Sequence, residues 1–182
     1  YAEYGGFETD TRWQGYGVPP TSNANYAWIL HILNKLNVSR GIAGFLLANG
    51  ALDDSDTLEI RKQLIESDKV EAIIVLPRNM FYSTDISVTL WILNNNKKGG
   101  PWHGRQLRNR TDEILFIDLR TWNSNIYEKK YVRLAETEID RVRQIYFNWQ
   151  TENFAEYAEP ELYYAAHRDE IRKKGYSIVP SR

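Results

Sequence analysis

The 182-residue chain predicts an α/β fold whose sheet is mainly parallel, with one antiparallel strand near its end. Three observations predict it. Residues 70–76 (VEAIIVL) form a short, nearly continuous apolar run, the pattern of a strand buried on both faces. An apolar run at 41–49 (GIAGFLLAN), a helical stripe and then this run read in order as strand, helix, strand, a βαβ unit with a right-handed crossover. A third run at 86–93 follows after too few residues for a second crossover helix, so it turns back antiparallel to its predecessor.

Taken in order, residues 1–20 read as irregular loop, with turn signals at Gly5, Gly6, Gly15, Gly17, Pro19 and Pro20. Asn23 or Asn25 caps the helix that follows, in which Tyr26, Ile29, Leu30, Leu33 and Leu36 fall at helical spacing. The run at 41–49 is a buried strand ending in a turn at Asn49 and Gly50. Asp56 with Glu59 makes a capping box for a helix to about Ser67, with Ile60, Leu64 and Ile65 as its apolar stripe. After the strands at 70–76 and 86–93, residues 94–112 (NNNKKGGPWHGRQLRNRTD) read as a long basic loop. Residues 113–119 (EILFIDL) are another strand. Residues 138–150 form a helix presenting Ile139, Val142, Ile145, Tyr146 and Trp149, with Thr137 and Asp140 as its cap. Residues 162–166 fit either an extended or a helical segment, 169–174 a short helix ended by Gly175, and Ile178 with Val179 extended backbone.

Bulk properties narrow the function. A formal net charge of −1 offers no general case for nucleic-acid or membrane binding, so any DNA contact must come from a local patch. There is no cysteine, hence neither a disulfide framework nor a thiolate metal site, which fits a reducing, cytoplasmic setting. No apolar run approaches membrane-helix length and no signal peptide opens the chain. The start at Tyr1, inside a polar, aromatic stretch, reads as an excised piece of a longer protein.

The most informative stretch is the link between the runs at 70–76 and 86–93, where Met80, Phe81 and Tyr82 stand side by side in a polar loop. In an open α/β sheet ligands sit beyond the carboxyl ends of the strands, so Phe81 stands either at the rim of a crevice or folded back as a plug over the core. No nucleophilic triad, glycine-rich phosphate loop or metal-ligand spacing is visible. His31 reads as a packing or hydrogen-bonding residue of its helix, Asp53, Asp54 and Asp56 as caps, and Asp118 as a turn residue. The basic loop holds Lys97, Lys98, Arg105, Arg108 and Arg110. These read either as a solvated connector or as phosphate contacts, and the loop leaves the strand at the end opposite Phe81.

The runs GVPPTSNANYAWILHIL, GIAGFLLANGAL, EIRKQLIESDKVEAIIVLPRNMFYSTDISVTLWIL, EILFIDLR and DEIRKKGYSIVPSR, in that order, resemble the methylation subunit of type I restriction–modification systems, which are N6-adenine DNA methyltransferases. The resemblance covers nearly the whole chain. It implies the C-terminal half of a Rossmann-like S-adenosylmethionine-dependent methyltransferase fold, with helices on both faces and an antiparallel last strand inserted between two parallel ones. Residues 1–20 are then the loop following the catalytic motif, 21–93 the back half of the sheet and 94–182 a family-specific extension. The family's glycine-rich loop and its Asn-Pro-Pro-aromatic motif have no match, since Val18-Pro19-Pro20-Thr21 lacks both flanking groups. The resemblance therefore places catalytic residues and the main cofactor-binding motif upstream of Tyr1, and implies that this fragment alone is inactive.

What remains is a wall for the substrate. An adenine amine in duplex DNA cannot reach a methyl donor until its base leaves the stack, at a cost of a few kcal/mol. Stacking on an aromatic ring offsets about 1–3 kcal/mol of that. By the resemblance Phe81 takes this role, with Tyr82 and Thr84 shaping the wall. Implied partners are DNA, a specificity subunit and a restriction subunit; implied is no metal. Residues 1–17 follow the missing motif and read as a lid over substrate. The alternatives are an assembly module of the same fold that grips a partner protein through the Phe81 loop, and a different α/β enzyme lacking its cofactor half.

Overall fold

The computed structural model describes residues 7–180. In chain order its elements are helix α1 (Asn25–Lys35), strand β1 (Ile42–Ala48), helix α2 (Leu58–Glu66), β2 (Val70–Val75), β3 (Val88–Asn94), β4 (Gly100–Trp102), β5 (Arg105–Leu107), β6 (Glu113–Asp118), β7 (Ile126–Tyr127), β8 (Tyr131–Val132), α3 (Glu136–Thr151), β9 (Ala158–Glu159), β10 (Tyr163–His167) and α4 (Arg168–Lys173). Six strands form one sheet in the order β1-β3-β2-β6-β10-β9; β4 with β5 and β7 with β8 are separate hairpins.

The antiparallel strand sits where expected. β3 lies between β1 and β2 and pairs antiparallel with both, so β1 and β2 point the same way without touching. The expectation of a mainly parallel sheet is corrected at the level of hydrogen bonds: β2–β6 is the parallel pair, and β10 and β9 extend the sheet antiparallel. The α/β class stands, with helices on both faces. On one face α1, α2 and α4 pack on Ile73, Trp91, Leu93 and Phe116 through Ile29, Leu30, Leu64 and Ile171. On the other, α3 presses Ile145 and Trp149 onto Ala72, Ile74, Leu115 and Ile117. Alternate residues of β2 and β6 serve opposite cores, which is why both read as nearly continuous apolar runs.

β1 is not the buried strand its composition predicts. It is an edge strand whose residues alternate, with Ala43, Phe45 and Leu47 turned to the α1–α2 core and Ile42 and Leu46 exposed. Apolar content alone does not say whether a second layer covers a strand; here α3 covers β2 and β6 but not β1.

Several local readings also change. Asn23 supplies the side-chain oxygen at the start of α1, accepting from the Asn25 N–H at 3.1 Å. Asp54, rather than Asp56, caps the turn that leads into α2, accepting the Asp56 N–H at 3.0 Å. At α3 the cap is Glu138, whose carboxylate reaches back to the Ala135 N–H at 2.7 Å, and not Thr137 with Asp140. Residues 94–112 are not a plain loop but hold the β4–β5 hairpin. Gly99 is required beside it: its φ is +85°, and a Cβ there would lie 2.4 Å from the Arg108 carbonyl oxygen. The ambiguous segment near 162–166 is a strand, β10, whereas residues 178–179 join no strand. Part of the proposed lid, residues 1–6, lies outside the described residues. Within the rest, Trp13 is buried in the core and its indole N–H donates to the Phe7 carbonyl at 2.6 Å, which anchors the segment.

Candidate functional site

β1, β2 and β6 point the same way, so their carboxyl ends open on one edge of the sheet. Three loops gather there: Asn49 after β1, residues 76–87 after β2, and the segment after Asp118 that leads into the β7–β8 hairpin. Asn49 is fixed by β3, the Thr89 hydroxyl donating to its side-chain oxygen at 2.7 Å.

The 76–87 loop is built as a tight turn. Pro77 is buried, Asn79 takes a left-handed φ of +60°, and Phe81 bridges to Thr84 in antiparallel register. The Ser87 hydroxyl donates to the Leu76 carbonyl and closes the neck at 2.5 Å. Phe81 is half-buried and belongs to neither hydrophobic core. The four-residue turn therefore holds Phe81 outside the two main cores, at the carboxyl edge of the sheet. Thr84 accepts the Ile86 N–H at 3.3 Å and so stiffens the turn.

Tyr82 faces a different neighbour from the one expected. Its ring packs on Tyr131 of β8, centroids 4.4 Å apart, and its hydroxyl lies 3.4 Å from a Glu128 carboxylate oxygen. The Tyr127 hydroxyl, with burial and Glu128 adding to it, pushes the Tyr82 pKa up to about 12, so the phenol stays neutral. A backbone bond from the Val132 N–H to the Asn79 carbonyl, 2.9 Å, ties the hairpin to the loop. Between them lies a cleft of about 310 Å³.

The basic loop lies at the opposite edge, and most of its cations are internal. Lys97 is buried; its ammonium donates to Asp68 at 2.6 Å and to the Val70 carbonyl at 2.9 Å, and burial pushes its pKa down against the pull of Asp68. Arg110 and Glu71 are both fully buried and paired at 3.1 Å. Asn94 and Gln150 also donate to Glu71. Arg108 grips Glu113 with two bonds of 2.9 and 2.7 Å and donates to the Trp149 carbonyl at 2.6 Å. Arg105 lies over the Phe147 ring, 4.2 Å from its centre. The phosphate reading is thus corrected for Lys97, Arg108 and Arg110. The chain folds this loop over the amino ends of β2 and β6, where a buried Glu71 demands cations. Of the five, Lys98 alone is exposed.

Other predicted residues keep modest roles. The Arg12 guanidinium lies 3.0 Å from His31 Nδ1, and Asp118 is gripped by Arg120. Among the described residues no cluster of acidic and histidine side chains is arranged to hold a metal ion, and no helix is long and apolar enough to cross a membrane. Tyr127, Tyr131 and Arg133 were missed by sequence reasoning. Their signal is IYEKKYVR, aromatics on both sides of a charged turn, but strands of two residues carry no readable period.

Residues 3–182 match the family model described as N-6 DNA Methylase. The chain is 34% identical to the type I restriction enzyme HindI methylase subunit of Haemophilus influenzae, over 95% of this chain and 36% of that protein. It is 33% identical to the MjaIX methylase subunit of Methanocaldococcus jannaschii, over 91% of this chain and 28% of that one. The chain thus spans about a third of the length of these relatives. In fold it is similar to the type I restriction–modification methyltransferase subunit of Streptococcus thermophilus, with a TM-score of 0.77 at 23% identity over 96% of this chain and 33% of that one. It is also similar to the EcoKI M protein, with a TM-score of 0.65 at 18% identity over 88% of this chain and 37% of that one.

Proposed function

Since this chain belongs to the N-6 DNA methylase family, we propose that it is the back half of the catalytic domain of a type I restriction–modification methylation subunit. The whole subunit transfers a methyl group from S-adenosylmethionine to N6 of an everted adenine. It does so beside a specificity subunit that reads DNA and a restriction subunit that cuts it. One observation carries the assignment of this half: the Phe81 ring stands at the carboxyl edge of the sheet, outside both cores, on a turn pinned by the Phe81–Thr84 bridge. A flat apolar ring at that edge meets the need of an unstacked base, and stacking offsets part of the cost of eversion. Transfer is a direct displacement that depends on alignment, so a wall held by backbone bonds serves better than a mobile one.

The residues present do not fit the methyl donor. No glycine-rich turn joins strand to helix among the described residues, and carboxylates near the strand ends are engaged, Asp54 by Asn23 and Asp118 by Arg120. Donor and amine-binding groups come from the part of the subunit beyond this span. That part has a seat ready: β1 carries no partner on its outer edge among the described residues, and Ile42 and Leu46 stand exposed beside it.

Phe81→Ala in the full-length subunit, assembled with its partners, tests the reading. Loss of about 1–3 kcal/mol of stacking lowers methyl transfer roughly 5- to 150-fold with assembly intact. Unchanged transfer, or loss of assembly instead, overturns it.

A further inference from the structure

The cleft between the Phe81 loop and the β7–β8 hairpin lies beside the turn that carries Phe81 and has the chemistry of a nucleotide site. Its walls are Met80, Tyr82, Tyr127, Tyr131, Arg133 and Ile139, around about 310 Å³. Tyr82 is 68% exposed and Tyr127 38%, a large aromatic surface to leave in water. Cations frame it. The Arg133 guanidinium lies 4.2 Å over the Tyr127 ring and the Lys130 ammonium 5.0 Å from the Tyr131 ring centre. Lys129 is exposed at the hairpin tip. The acids facing this group are Glu128, at the Tyr82 hydroxyl, and Asp85, 3.6 Å from Lys130. Both members of the Lys130–Asp85 pair are more than half exposed, so the pair is weak and a phosphate can displace the carboxylate. The tip is also strained, with Glu128 and Lys129 at φ of +46° and +70° and neither of them glycine.

We infer that this cleft holds a second nucleotide of the DNA, a neighbour of the everted adenine, with its base against the Tyr82 and Tyr131 rings and its phosphates at Lys129, Lys130 and Arg133. The inference rests on the functional reading above. Aromatic faces beside cations suit a strand with planar bases and a charged backbone, whereas an apolar peptide offers nothing to the exposed Lys129, Lys130 and Arg133 charges at the rim. The backbone bond from Val132 to Asn79 ties the hairpin wall of this cleft to the turn that carries Phe81, so the two sites are neighbours on one rim.

The test uses the full-length subunit assembled with its partners. DNA carries 2-aminopurine at the target adenine or photoreactive 5-iodouracil at flanking positions. The expected result has three parts. The target 2-aminopurine brightens on binding, 5-iodouracil crosslinks to Tyr131 of the hairpin or to Tyr82 facing it, and replacing Lys129, Lys130 and Arg133 by Ala lowers the slope of log K against log [salt] by roughly 2–3. The triple variant still brightens the target base at saturating protein. Brightening with an unchanged salt slope and no crosslink to either tyrosine overturns this inference alone. No brightening with the unaltered protein overturns the eversion reading and this inference with it. Loss of subunit assembly in the triple variant, with the DNA slope unchanged, makes the hairpin a protein contact and also overturns it.

Discussion

Glu71 and Arg110 meet where water does not reach, and Asn94 and Gln150 add donors to the same carboxylate. Removing one partner leaves the other charge buried and unpaired, so Arg110→Met should cost about 3–5 kcal/mol in urea unfolding. Replacing both, with Glu71→Leu added, should restore much of the loss, because the desolvation cost then disappears as well. Glu66 makes a second ion pair, at the surface. The Arg172 guanidinium, then the Tyr176 hydroxyl, hold its pKa down to about 2. A depressed carboxylate pKa stabilises the fold above the unfolded value, about 4.3, and that contribution fades as pH falls toward 2. Glu66→Gln should therefore lower Tm at neutral pH, and the gap to the unaltered protein should close between pH of about 4 and 2. A gap that persists at low pH would show that packing, not charge, makes the contribution. None of these pairings was legible in the sequence, since Glu71 and Arg110 are distant in the chain and the cations of the 94–112 loop look alike on paper.

At the scale of elements, β2 and β6 follow from their composition. Each is short, mostly apolar and buried along its middle, Glu71 being the charged exception inside β2, and a run of this length between turn signals suits a strand better than a helix. The stripes of α1 and α2 likewise matched their buried faces, with Tyr26, Ile29, Leu30 and Leu33 in one and Ile60, Leu64 and Ile65 in the other. β1 did not, because burial of a strand depends on what lies beside and above it. Its outer edge, unpaired among the described residues, and its exposed Leu46, 46% accessible, are a template for self-association. Leu46→Lys should reduce association of the isolated chain in light scattering, with little change in Tm. In the full-length subunit the same change should lower methyl transfer if the rest of the domain seats on β1. Normal transfer by that variant would place the seat elsewhere.

For the whole molecule, the two helical layers and the six-stranded sheet position one rim and, among the described residues, leave the β1 flank open. The sheet continues past β2 into β6, β10 and β9, so the described residues after β3 extend the same sheet. On the functional reading the isolated chain neither transfers methyl groups nor binds S-adenosylmethionine tightly. Calorimetry with the donor should show no binding at micromolar concentrations, and a tritiated-methyl assay on DNA should show no incorporation. Incorporation by this chain alone would refute the division of the pocket.

The sequence by itself determined the α/β class, the antiparallel turn-back after β2, the helix stripes and the position of Phe81 between two strands. Each of these depends on residues close in the chain, where periodicity and turn chemistry act. Tertiary structure alone decided that Lys97, Arg108 and Arg110 serve a buried acid, that β1 is an open edge, and that Tyr82 leans on Tyr131 across a cleft. Those outcomes depend on which distant segments meet, because a charge or a ring is assigned its role by the partner that reaches it.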